Sequence, residues 1–101
     1  RLANGEEIGG DMALVAIGRK MNTDKIGLDS IGVRVEKNGL IPTNERMETN
    51  VPHIYAVGDI ASKYWLAHVA SHQGVVAAMN ASGKEMEMHY FAIPSVIFTE
   101  P

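Results

Sequence analysis

The stretch Thr49-Asn50-Val51-Pro52-His53-Ile54-Tyr55-Ala56-Val57-Gly58-Asp59 decides the fold. Pro52 pre-sets the chain direction, and the β-branched and aromatic residues of His53 to Val57 predict a strand buried on both faces. Gly58-Asp59 ends that strand. Shortly after it, Leu66 to Ala81 is the one convincing helix, rich in Ala, Val, Leu and Met. Its apolar and small positions are too dense for a surface helix, which predicts packing on more than one side. Gly83 is a natural stop. Gly74, inside the helix, costs about 1 kcal/mol relative to Ala and so suggests close backbone packing there.

Working outward, Met12 to Ile17 is a continuous apolar run closed by Gly18, again suited to a buried strand. Residues 19–31 are mixed, and Gly27 and Gly32 limit any helix there to about a turn. Val33 to Glu36 predicts a short strand, Asn38-Gly39 a hairpin turn, and Leu40-Ile41 the returning strand. Thr43 to Asn50 is polar and reads as loop. Ile93 to Thr99 is a third apolar strand candidate. The fold class is therefore α/β, with short strands, a hairpin and one long helix. Ligands of such folds bind beyond the carboxyl ends of the strands, so chemistry is expected at Gly18 and at Gly58-Asp59.

At Asp59 two readings stand open on residue chemistry alone. Gly-Asp pairs are common in turns, where the carboxylate merely caps the backbone. Alternatively, Gly58 lets a ligand approach the backbone, and Asp59 accepts hydrogen bonds from sugar-type hydroxyls. The start of the following helix, with its free N–H groups and partial positive charge, favours an electron-rich group nearby.

Composition narrows the classes. The chain has 101 residues, 46% hydrophobic and 21% charged, with net charge -3 and pI about 5.7. That is one small globular unit, without the basic stripe that nucleic acid needs. No apolar run approaches the roughly 20 residues of a membrane span. There is no cysteine, which excludes a disulfide, a thiolate metal site and a redox cysteine pair within these residues. His68 and His72 have metal-ligand spacing on the helix, but no third ligand is evident. His53 and His89 read as ordinary loop or strand-edge residues. The six methionines are expected to fill core gaps. Arg1 and Pro101 both fall in sequence that looks cut from a longer protein.

The ordered motifs resemble a known family. Thr49 to Asp59, ending Ile-Tyr-Ala-Val-Gly-Asp, resembles the second FAD-binding motif of the pyridine nucleotide–disulfide oxidoreductases, flavoproteins with two dinucleotide-binding domains. Leu14-Val15-Ala16-Ile17-Gly18-Arg19, with Asn22-Thr23, resembles the segment closing their NAD(P)-binding domain. Ile93-Pro94-Ser95-Val96-Ile97-Phe98-Thr99-Glu100-Pro101 resembles the opening of their dimerisation domain. Within the family, Leu66-Ala67-His68 and the Gly27 to Val33 pattern are similar to the lipoamide dehydrogenase branch.

The resemblance implies a partial FAD-binding domain. Residues 1–22 would close the NAD-binding domain, 23–90 form the second half of the FAD-binding domain, and 91–101 begin the dimerisation domain. Asp59 would hold the ribityl and phosphate region of FAD. Trp65, Leu66, Ala67 and His68 would touch the flavin, and Gly18 would contact NAD. The whole protein would be a homodimer that oxidises dihydrolipoamide on the lipoyl domains of 2-oxo acid dehydrogenase complexes. Electrons would pass through a redox disulfide and FAD to NAD+, in a bacterial cytoplasm or a mitochondrial matrix. No catalytic residue falls within the 101 positions, since the cysteine pair is expected upstream of Arg1 and the acid–base His-Glu pair beyond Pro101. Glutathione-, mercuric- and transhydrogenase-type reductases remain alternatives, as does a non-catalytic, self-associating unit. Three positions depart from the family pattern: Met21 for proline, Trp65 for a methionine-like residue and Val69 for lysine.

Overall fold

The computed structural model describes residues 1–100. Its regular structure is a single α-helix, α1 (Ala67–Ala81), with two 3-10 turns at Asp29–Ile31 and Gly58–Ile60. Among these residues no strand ladder forms. One antiparallel bridge, Glu48 with Tyr55, is all that remains of the expected sheet. The radius of gyration is 18.4 Å, whereas a compact unit of this length would have about 13 Å. A packed centre carries two extended arms.

The N-terminal arm corrects one expectation directly. Met12, Leu14 and Ile17 are more than nine-tenths exposed, where a strand buried on both faces was predicted. An apolar strand is buried only when neighbouring strands and helices cover it, and nothing among the described residues lies over this run. The C-terminal run behaves alike: Ile97 and Phe98 are open to solvent.

The centre is built around α1. Val69, Gln73, Val76, Ala77 and Asn80 are buried along one stripe, at the i, i+4, i+7, i+8, i+11 spacing of a helix face. That stripe packs on Met47 and Met88, with Tyr55, Val57, Tyr64, Leu66 and Tyr90 at its edge. Only one face is covered. His68, His72 and Val75 are exposed, and nothing lies within 4 Å of where a Cβ at Gly74 would sit. The expected close packing at Gly74 is therefore absent among the described residues. The helix stops as predicted. Gly83 N–H donates to the Asn80 carbonyl (3.0 Å) and Lys84 N–H to that of Met79 (2.9 Å), the paired bonds of a Schellman end.

A second cluster, Val33, Ile41 and Ala56, packs with Leu28, Ile54 and Ile60. The hairpin turn at Asn38-Gly39 forms: Gly39 N–H donates to the Glu36 carbonyl (2.9 Å) and Glu36 N–H to that of Leu40 (2.7 Å). Gly39 has φ +90, and a Cβ there would lie 2.9 Å from both Met21 Cβ and Thr23 Oγ1. Three of the methionines, Met21, Met47 and Met88, are buried. Met47, at the centre of a stretch read as polar loop, is fully buried with φ +63. No described helix is long and apolar enough to cross a membrane.

Candidate functional site

The site is assembled where the Gly58–Ile60 turn meets the first turns of α1. Val57 is extended (φ -140, ψ 161) and Gly58 then turns with φ +80, a left-handed conformation that a Cβ would strain. The same absence of a Cβ lets the helix close in, since a Cβ at Gly58 would meet that of Ala70 at 3.6 Å. Beneath the turn, Gln73 is fully buried, and its Oε1 accepts the Gly58 N–H at 2.7 Å. The Gln73 Nε2 donates to the Tyr90 hydroxyl at 2.8 Å. Tyr90 in turn stacks on Tyr64, with centroids 5.4 Å apart. The turn that presents Asp59 therefore hangs from the helix and from the segment after it.

Asp59 points outward, its side chain about half exposed. Its Oδ2 accepts from the Arg19 guanidinium at 3.3 Å. Arg19 also donates to the Trp65 carbonyl at 3.4 Å, and its guanidinium carbon lies 4.6 Å from the Trp65 ring centroid. Through this cation–π contact and its ion pair, Arg19 ties the N-terminal arm to Asp59 and Trp65, 40 and 46 residues further along the chain. The other carboxylate oxygen, Oδ1, makes no hydrogen bond among the described residues. Trp65 is fixed from below as well, its Nε1–H donating to the Ser62 carbonyl at 3.1 Å.

Leu66 precedes the helix in extended conformation (φ -127, ψ 130), and no side chain caps the N–H groups that follow. Ala67 and His68 are exposed on that first turn, while Leu66 is half-buried against the core. Of the sequence-predicted residues, Asp59, Trp65, Leu66, Ala67 and His68 thus gather at one end of α1. Gly18 is exposed in the arm, next to the Arg19 that reaches Asp59.

His68, His72 and His89 share a groove of about 330 Å³ with Met88, Phe91 and Pro94. No group of three metal-ligating side chains able to hold an ion occurs among the described residues.

Three contributors carry no assigned role in the sequence. Gln73 and Asn80 are polar residues on the same stripe as Val69, Val76 and Ala77, and that placement was their signal: a polar residue on an apolar face is buried only with partners. Arg19 had no signal, because its contacts span 40 and 46 residues of sequence.

The turn thus presents a carboxylate beside a helix start whose N–H groups no side chain caps, a setting that favours an electron-rich group. Comparison with known proteins makes the assignment specific. The pyridine nucleotide-disulphide oxidoreductase family model matches residues 1–74. The chain is 63% identical over 91 residues to the dihydrolipoyl dehydrogenase of Chlamydia pneumoniae, covering 90% of this chain and 20% of that one. It is 42% identical over 99 residues to the dihydrolipoyl dehydrogenase of Bacillus subtilis (strain 168), covering 96% and 21% respectively. A solved structure, the NADH:rubredoxin oxidoreductase from Clostridium acetobutylicum, superposes with TM-score 0.67 at 37% identity, over 82% of this chain and 22% of that chain. This chain belongs to the pyridine nucleotide-disulphide oxidoreductase family. It spans about a fifth of the length of the curated relatives it matches.

Proposed function

We propose that this chain supplies part of the FAD site of a dihydrolipoyl dehydrogenase. The observation that carries the reading is the 63% identity to a protein of that name over 90% of the chain. The whole protein, on this reading, is a homodimer that oxidises dihydrolipoamide carried on lipoyl domains and reduces NAD+.

The residues fit an FAD. Asp59 keeps one carboxylate oxygen free and is half exposed, so it can accept from ribityl hydroxyls. The helix start at Ala67 and His68 has no side-chain cap, so its N–H groups and partial charge favour an electron-rich ring edge. Trp65, seated on the Ser62 carbonyl, offers an aromatic surface beside that start. Bound FAD would supply the two-electron redox chemistry. The chain's own part is to bind, to orient, and to place a favourable field at the helix start.

With no cysteine here, the exchanging disulfide belongs to other parts of the protein. Residues 1–22 read as the close of the NAD-binding domain, with Gly18 against NAD, residues 23–90 as the second half of the FAD-binding domain, and residues 91–101 as the start of the dimerisation domain. The exposed apolar runs at Met12–Ile17 and Val96–Phe98 support covering surfaces of that kind. The test is an assay of the purified whole protein with NAD+ and free dihydrolipoamide. Flavin-dependent NADH formation is expected. A yellow protein that turns over a different disulfide or acceptor, and not dihydrolipoamide, would reject the substrate while leaving the flavin site standing.

A further inference from the structure

Gln73 has no exposed surface, yet both ends of its amide are used. Oε1 takes the Gly58 N–H at 2.7 Å and Nε2 donates to the Tyr90 hydroxyl at 2.8 Å. A primary amide buried in a core is costly unless it is paired in this way. An apolar side chain of similar length would satisfy packing there, so packing alone does not account for Gln73. Its two bonds meet the two features that shape the site. Gly58 immediately precedes Asp59 and turns at φ +80, so fixing its N–H fixes the Val57–Gly58 peptide plane and, with it, the start of the turn that carries Asp59. Tyr90 stacks on Tyr64 at 5.4 Å, two residues before Leu66, and so braces the approach to the helix start. Among the described residues no other side chain hydrogen-bonds to both.

We propose that Gln73 is a positioning residue for the flavin site: it sets the direction of Asp59 through the Gly58 N–H and locks that turn to the segment around Tyr90. The proposal rests on the reading of Asp59 as an FAD ligand. It makes the segment around Tyr90 a structural partner of cofactor binding. The required chemistry is an acceptor facing Gly58 together with a group able to pair with a hydroxyl. A glutamate meets it, because the tyrosine hydroxyl can reverse and donate to the carboxylate. A leucine does not.

The test is FAD affinity of the whole protein, measured by flavin absorbance on titration, for Asp59→Ala, Gln73→Leu, Gln73→Glu and Tyr90→Phe. Gln73→Leu is expected to weaken FAD binding about tenfold, the equivalent of one hydrogen bond of about 1.4 kcal/mol. Gln73→Glu should restore binding to within about threefold of the parent, while a residue that merely fills space would not be rescued by a charge. If Asp59→Ala weakens binding and Gln73→Leu does not, the positioning role is overturned and the FAD reading stands. If Asp59→Ala has no effect, the FAD reading itself falls. Loss of binding in both Gln73 variants alike overturns the proposal, because an acceptor restored opposite the Gly58 N–H would then restore nothing. Should Gln73→Leu fail to fold, Tyr90→Phe carries the test: it keeps the ring stack, removes the hydroxyl, and is expected to weaken FAD about threefold. Unchanged affinity there overturns the proposal.

Discussion

Asn80→Asp is the substitution whose cost the structure defines most sharply. Asn80 is buried near the end of α1, and the two N–H groups of its Nδ2 are shared among three carbonyls: Met86 at 2.7 Å, Val76 at 2.9 Å and Arg46 at 3.1 Å. Its Oδ1 accepts the Met86 N–H at 3.2 Å. One amide therefore joins the helix, the loop before Met47 and the segment that leads to Tyr90. Aspartate has nearly the same shape, so packing is preserved while the donor is replaced by an oxygen facing three oxygens. The Val76 carbonyl retains its place in the helix, but those of Arg46 and Met86 lose a donor. Each buried group left unpaired costs about 1–3 kcal/mol, and the ionised carboxylate adds repulsion. The expected loss is about 3–5 kcal/mol, a large share of the roughly 5–15 kcal/mol that hold a protein folded. Urea unfolding of the 101-residue chain, followed by helical circular dichroism, measures it. Asn80→Asp should cost more than Asn80→Ala, which opens a small cavity but introduces no charge. A loss below about 1 kcal/mol, or the reverse ranking, would refute the reasoning that this amide is the joint.

Three further substitutions probe other parts of the molecule. Gly39→Ala meets both a φ of +90 and contacts at 2.9 Å with Met21 Cβ and Thr23 Oγ1, so a loss of about 2–4 kcal/mol in thermal unfolding is expected. Gly74→Ala faces open space in the helix and should stabilise the 101-residue chain by about 0.5–1 kcal/mol; destabilisation of the same variant in the whole protein would locate a covering surface over that face. Arg19→Gln removes an exposed ion pair worth about 0–1 kcal/mol, so stability should hardly change. The fluorescence of Trp65, the sole tryptophan, should shift as the guanidinium 4.6 Å from its ring leaves.

How much was legible follows from what each element needs. The helix was readable to within a residue, because its hydrogen bonds are local and its Gly83 stop is a local device. The Asn38-Gly39 turn was readable for the same reason. The strands were readable as apolar runs, but a strand exists only with a neighbour, and Met12–Ile17 and Ile93–Thr99 find none among the described residues. Met47 was hidden because its burial depends on the helix folding over a polar loop. Asp59 and the Trp65–His68 segment were singled out through the family resemblance, and the structure brings them to one end of α1. Gln73 was not, since its role exists only once Gly58 and Tyr90 lie against it from opposite sides.

The central claim is that Asp59 grips FAD. It is tested most directly by the dissociation constant for FAD of the whole protein carrying Asp59→Ala, set beside the parent. Loss of one charge-assisted hydrogen bond should weaken binding by about 1–3 kcal/mol, roughly five- to 150-fold, with the helix signal in circular dichroism unchanged because Asp59 is half exposed and outside the core. An FAD affinity equal to the parent's would contradict the account.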